Sequence, residues 1–176
     1  MSLRRWSGPL LQSLWVVLLS LGLAVLLFHF VFQPFQVAGL SMAPALNDRD
    51  YLLVDRLFFR GLGVRRGDMV VFQLPGDGRF IVKRVEGLPG ERVEIHEGRL
   101  RVNGLELPDW TAASAADFGP RTLARDEFLC LGDNSPFSLD SRSFGPVPRS
   151  RIYGRVLFRY LPLTTWGFPP GPAHAR

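Results

Sequence analysis

The stretch "FIVKRVE", residues 80–86, decides the fold class. Its residues alternate in the manner of a β-strand. A period of two puts Ile81, Lys83 and Val85 on one face, and Val82, Arg84 and Glu86 on the other. The charged pair marks the second face as the outer one, so the first is the natural core face. Lys83 is the single lysine of the chain, against 20 arginines. On the core face its amine points among apolar side chains. Burial disfavours the ammonium form and lowers the pKa. A downward shift of about two units from the ordinary 10.4, worth about 2.7 kcal/mol, makes a useful fraction neutral. A neutral amine close to a hydroxyl can take its proton. The bland alternative is a lysine at a strand edge whose head snorkels to water.

Outward from this strand the signals remain those of β-structure. "YLLVD" (residues 51–55) and "DMVVFQ" (68–73) are short β-rich runs. "RVEIHEGRLRVNG" reads as a hairpin turning at Glu97-Gly98, followed by a second turn at Asn103-Gly104. "EFLCLGD" and "RIYGRVLFRYL" complete the set. "WTAASAADFGPRT" (110–122) reads as a small-residue loop. No amphipathic helix longer than about ten residues is expected outside the N-terminal segment. The expectation is a mainly β protein: one N-terminal transmembrane helix, then a compact domain of short antiparallel sheets.

The N-terminal segment is residues 10–32, "LLQSLWVVLLSLGLAVLLFHFVF", 23 residues without a formal charge if His29 is neutral. As a helix it spans about 35 Å, enough for a hydrocarbon core of about 30 Å. Arg4 and Arg5 precede it, so the positive-inside rule puts residues 1–9 in the cytoplasm and everything after the anchor outside. A cleaved signal peptide is the competing reading. Its apolar region runs about 7–15 residues before a small-x-small site, whereas this run is longer and only Val37-x-Gly39 follows. The expected organisation is thus a short cytoplasmic end (1–9), an anchor (10–32), an extracytoplasmic β domain (34–165) and a frayed Pro/Gly tail (166–176). Localisation would be a cell membrane, single-pass. Leu57, Phe58 and Phe59, set among Arg56, Arg60, Arg65 and Arg66, together with Trp166 and Phe168, are either ordinary packing or a surface resting on the bilayer.

The 176 residues carry 47% apolar side chains and a net charge of +5. A basic balance admits nucleic acid or an anionic membrane as partner. No dense basic run with interleaved aromatics supports nucleic acid. Cys130 is the one cysteine, so no intrachain disulfide forms, and its place in a strand reads as a small buried hydrophobe. Three scattered histidines and one cysteine do not make a zinc site. "GLGVRR" lacks the third glycine of a dinucleotide loop. No metal and no cofactor is expected.

The remaining question is "QVAGLSMAPAL", residues 36–46, where Ser41 is either a helix cap or a nucleophile. None of His29, His96 and His174 has an aspartate partner close in sequence, so a Ser-His-Asp triad is poorly supported. Ala43 stands where a G-x-S-x-G elbow needs its second glycine. Ser41 and Lys83 are what is left.

"GLSMAPAL", "RGDMVVFQLP", "FIVKRVEGLPGERVEI" and "GDNSPFSLDSRSFGPVPRSRIYG" follow a single anchor in that order. Together they resemble the bacterial type I signal peptidases, membrane-bound Ser-Lys enzymes that release exported proteins. The resemblance covers residues 34–160. It implies Ser41 as nucleophile, Lys83 as general base, and Ser138 as a hydroxyl that bonds and orients the lysine amine. It implies an Asp140–Arg142 salt bridge that holds this loop beside the site, with Gly132, Asp133 and Asn134 shaping its turn. Two features depart from the family pattern. Ser135, Pro136 and Phe137 replace a more polar run. Gly39 stands where some members carry a serine whose hydroxyl helps bind the oxyanion, which leaves the hole to backbone N–H groups, chiefly that of Ser41, with or without a water.

The implied substrates are exported preproteins whose signal peptides span the same bilayer and carry small residues, usually Ala, one and three positions before the cut. Gln36, Val37 and Ile81 are the expected substrate-binding residues, offering backbone groups to a peptide that adds as a strand. A self-cleaving SOS-repressor type of Ser-Lys protease shares the β fold, but those proteins are soluble and the anchor argues against one. A non-catalytic membrane-tethered β module is the alternative from another class.

Overall fold

The computed structural model describes residues 7–76, 78–111 and 117–171. Arg4, Arg5, Trp6 and His174 lie outside the described residues. Helix α1 (Ser7–Val31) has no polar stripe. Its segment Leu10–Val31 has a mean hydropathy of 2.5 and buries nothing against the rest of the chain. A helix apolar all round with no protein partner has the length and surface of a membrane anchor.

Eleven strands follow among the described residues. A seven-stranded antiparallel sheet contains β1 (Phe32–Gln36), β2 (Tyr51–Asp55), β3 (Met69–Gln73), β4 (Phe80–Gly87), β9 (Glu127–Leu131), β10 (Val147–Pro148) and β11 (Ile152–Leu161), in the order β1-β2-β11-β3-β4-β9-β10. A four-stranded sheet contains β5 (Arg92–His96), β6 (Arg99–Val102), β7 (Leu105–Thr111) and β8 (Phe118–Thr122), in the order β7-β6-β5-β8. Helices α2 (Phe58–Leu62) and α3 (Ser141–Phe144) are single turns. The mainly antiparallel β fold expected from the sequence is what the chain adopts. Both hairpin turns form as read. Glu97 and Gly98, then Asn103 and Gly104, all take positive φ, the backbone that joins two strands through a two-residue turn.

The period of two distributes the core. Leu129 and Leu131 of β9 pack with Val93, Ile95 and Leu100 of the smaller sheet. Phe128 and Cys130 face the other way, toward Val70, Phe72 and Val85. A further cluster gathers Met42, Leu46, Leu52, Val54, Val71 and Val82 beneath the segment that carries Ser41. β9 thereby joins the two sheets, and its end leads into the loop of residues 132–140.

Four expectations need correction. The helix ends at Val31, and Phe32 already belongs to β1, whose register is fixed by pairing of Phe32 with Asp55 and Gln36 with Tyr51. The loop read at 110–122 is largely strand: β7 runs to Thr111 and β8 starts at Phe118, with residues 112–116 outside the described ones. Both faces of β4 are buried, since Arg84 is 4% and Glu86 1% exposed. The tail is docked as far as Pro170. Gly167 bridges Arg159 with backbone bonds of 2.9 and 3.0 Å. Trp166 and Phe168 stand edge-on to Phe158, and the Pro170 carbonyl accepts from Arg84 Nη1 at 3.2 Å. Of the apolar run at 57–59, Phe59 is core while Leu57 and Phe58 are exposed, with Phe58 close to Phe32 at the foot of α1.

The pairing of β11 with β2 admits no side chain at Gly154. A Cβ there would lie 2.5 Å from the Asp55 carbonyl oxygen and 2.5 Å from Val54 Cγ1. Gly154→Ala is expected to force the strands apart and cost about 1–3 kcal/mol, read as a fall of several degrees in the thermal midpoint.

Candidate active site

Ser41 sits in a turn between β1 and β2, half-buried, one residue before Met42, which is wholly buried. Met42 pins the turn to the core, so the serine is held while its side chain stays accessible. Lys83 lies mid-way along β4, opposite Val70 of β3. It is 3% exposed, on the face that also carries Ile81 and Val85, as its alternation implies. Its Nζ reaches the Ser41 Oγ in a short hydrogen bond. The two residues left by elimination in the sequence are brought together.

Burial pushes the Lys83 pKa down from 10.5 to about 8. Asp140 and Asp133 act against this, and Arg142 acts with it. Desolvation wins because the amine has lost most of its water and has no carboxylate within bonding distance among the described residues.

The loop after β9 supplies the surroundings. Asp140 is wholly buried. Its two oxygens accept from Arg142 Nε and Nη2, each at 2.8 Å, and Oδ2 also accepts from the Gly132 N–H at 3.0 Å. Asp140 caps α3 through the Arg142 N–H. Ser141 Oγ accepts from the Cys130 N–H at 3.0 Å, which ties α3 to β9. The salt bridge between positions 140 and 142 forms, and it lies inside the protein. Ser138 Oγ is buried and has no hydrogen-bond partner among the described residues. The expected bond from Ser138 to the lysine amine is therefore not made in this state, where the amine rests on Ser41. Gly132 is required by close approach. A Cβ there would collide with Ser138 Oγ and lie 2.5 Å from the Ser41 carbonyl oxygen.

Arg84 adds a second ion pair that the sequence reading did not find. Its Nε and Nη2 donate to the two oxygens of Asp133 at 2.8 and 2.7 Å. The signal was present in "KR" and "GD", but 49 residues separate the partners. A further pair missed in the same way is His96 with Asp117, 3.0 Å apart and exposed on the smaller sheet. Glu86, on the Arg84 face, is pushed up to about 7, chiefly by burial.

The expected substrate-binding residues divide. β1 is the outer strand of its sheet. The Val37 N–H and carbonyl bond Asp50 and Arg49, and its side chain is core. By the alternation of an antiparallel ladder, the backbone of Gln36 faces the open edge instead. β9 pairs with β4 only from Arg84 onward, so Phe80 to Lys83 have no strand neighbour on that side among the described residues. Ile81 pairs with Phe72 of β3, and its half-buried side chain packs beside the core. The same alternation turns the backbone groups of Val82 outward. Gly39 has φ +91° and donates its N–H to Asp48 Oδ1 at 2.8 Å.

The chain is similar to proteins of known family. The family model for signal peptidase, peptidase S26, matches residues 10–161. A signal peptidase I from Leptolyngbya laminosa is 36% identical over 95% of this chain and 88% of its own length. One from Bacillus amyloliquefaciens is 32% identical over 83% of this chain and 82% of its own. A crystal structure of a signal peptidase I from Enterococcus faecalis V583 is 30% identical, covering 53% of this chain and 96% of that one, with a TM-score of 0.45. With nearly its whole sheet region inside the family match, the chain belongs to the signal peptidase family, peptidase S26.

Proposed function

We propose that this signal peptidase cuts exported preproteins with a Ser41–Lys83 dyad, through an acyl-enzyme, after small residues of the Ala-x-Ala type. One observation carries the reading: a buried amine, its pKa lowered to about 8, bonded to the Ser41 hydroxyl. At pH 7 about a tenth of such an amine is neutral, which is enough for a general base close to its task.

Ser41 Oγ attacks the scissile carbonyl while Lys83 Nζ takes its proton. Lys83 returns that proton to the leaving amine, and the acyl-Ser41 ester remains. Water then attacks the ester, Lys83 accepting its proton and passing it to Ser41 Oγ. In the acyl state the amine loses Ser41 as partner. The unpartnered Ser138 hydroxyl fits the role of receiving it then. Asp140 and Arg142 position this loop.

The substrate peptide adds as a strand between the open edges of β1 and β4, bonding the outward backbone groups of Gln36 and Val82, while Ile81 holds that segment on β3. Val37 supports that edge from within the core. The anchor holds the enzyme in the membrane that the signal peptide also spans, which raises their effective concentration. Arg4 and Arg5 orient it with the N-terminus in the cytoplasm and the catalytic domain outside.

Ser41→Ala and Lys83→Met should each reduce cleavage of an Ala-x-Ala preprotein by at least about 10³-fold, because members of such a unit fail together. Wild-type rates in both variants, measured by gel shift of the preprotein, would remove the dyad. In the wild type kcat should rise through about pH 8 to a plateau, since the base works as the neutral amine. An optimum below about pH 5 contradicts it. Stability should follow the same titration. The folded chain releases the lysine proton near pH 8 and the unfolded chain near 10.5. Between these values the unfolded state binds more protons, so stability rises with pH, by roughly 3 kcal/mol in total. Denaturant midpoints of Lys83→Met should lack this rise.

A further inference from the structure

We infer that Asn134 is a positioning residue for the oxyanion site, holding the peptide whose N–H stabilises the tetrahedral intermediate. The inference rests on the reading of Ser41 as nucleophile and names a further residue for the same step.

Attack by Ser41 puts negative charge on the substrate carbonyl oxygen, and that oxygen needs preorganised donors. The position two before the nucleophile supplies none. Gly39 has no hydroxyl, and its N–H is committed to Asp48. The Ser41 N–H donates to no group among the described residues, so it is available. That N–H belongs to the peptide unit whose other end is the Leu40 carbonyl. Asn134 Nδ2 donates to this carbonyl at 3.0 Å. Only the amide nitrogen can serve a carbonyl acceptor, so the orientation of the Asn134 side chain follows from its partner.

A peptide unit is rigid and planar. A donor fixed on its oxygen therefore fixes the direction of its N–H. It also polarises the unit, strengthening the N–H as a donor. The next unit is held by the same residue, because the Asn134 N–H donates to the Ser41 carbonyl at 3.0 Å. Asn134 thus brackets Ser41 on both sides. Its own place is set by Asp133, clamped by Arg84, and by the Phe137 N–H on its carbonyl at 3.0 Å. Arg84 directly follows Lys83. The base and the oxyanion donor are located by one continuous set of bonds.

The test uses the full chain in detergent micelles with an Ala-x-Ala preprotein. Asn134→Leu keeps the size and the backbone N–H but removes the side-chain donor. It should lower kcat about tenfold or more, with KM unchanged and the pH midpoint still near 8. Affinity for a peptide aldehyde ending in Ala should fall by the same factor, since its adduct with Ser41 places an oxygen in the hole. Asn134→Gln, which retains an amide, should recover part of the loss. Asn134→Ala carries the same measurements should the leucine variant fold poorly. A kcat within about threefold of wild type in the donor-less variants overturns the inference, as does a lost kcat with unchanged aldehyde affinity. Ser41→Ala run in parallel separates the two levels: activity in that variant overturns the dyad itself, whereas its silence beside a fully active Asn134→Leu overturns only the role of Asn134.

Discussion

The site depends on a buried amine that has no counter-charge of its own among the described residues. Asp140 lies near Lys83 and would, if free, hold it as a cation. It is not free. Both of its oxygens are taken by Arg142 and one also by the Gly132 N–H. The Asp140 carboxylate still pulls the lysine pKa up, and Arg142 pulls it down. With the two opposed, desolvation decides the outcome. A buried ion pair adds little net stability compared with apolar packing. Here its value is electrostatic: it keeps the loop of residues 132–140 folded without recharging Lys83.

The sheet brings the parts together from distant points in the chain. Ser41 follows β1, Lys83 lies in β4, and the supporting loop follows β9. β4 and β9 are neighbours, paired from Arg84 and Leu131, so the loop leaves the sheet beside Lys83. Gly132 then lets it pass against Ser41 and Ser138. The open edge of β4 exists because β9 stops pairing where the loop begins. The departure that forms the loop also leaves Phe80 to Lys83 without a strand neighbour on that side among the described residues.

Local pattern was legible in the sequence where a single segment contains the whole signal. The alternation in "FIVKRVE" placed Ile81, Lys83 and Val85 on one face, and the structure keeps them there with Val70 and Phe72. The two positive-φ hairpin turns were readable for the same reason. What was hidden needed partners far along the chain. Two charges on the outer face of β4 argued for solvent, yet Arg84 is buried because Asp133, Gly67 and Pro170 satisfy its donors. β1 carries a proline and adjoins the apolar helix, so it gave no strand signal; its pairing with β2 defines it. The tail is rich in Pro and Gly, which reads as fraying, but Phe158 offers its aromatic residues a surface. In the site, residue types and order disclosed Ser41 and Lys83. The vacant Ser138 hydroxyl and the Asn134 clamp could not be foreseen, because both depend on how two loops meet.

The run at residues 135–137, which departs from the family pattern, shows how such a loop tolerates change. Ser135 to Phe137 form one 3-10 turn, with Pro136 where its missing N–H costs nothing. Ser135 is buried, and both its hydroxyl and its carbonyl accept from Arg142. The guanidinium thereby fills its donors on Asp140, Ser135 and the Ser138 carbonyl. Phe137 points outward, 72% exposed. The substituted run therefore keeps a single inward task, closing the shell around Arg142, and Ser135 performs it. Pro136 and Phe137 turn their side chains to solvent, so their chemistry can change while Arg142 stays paired with Asp140.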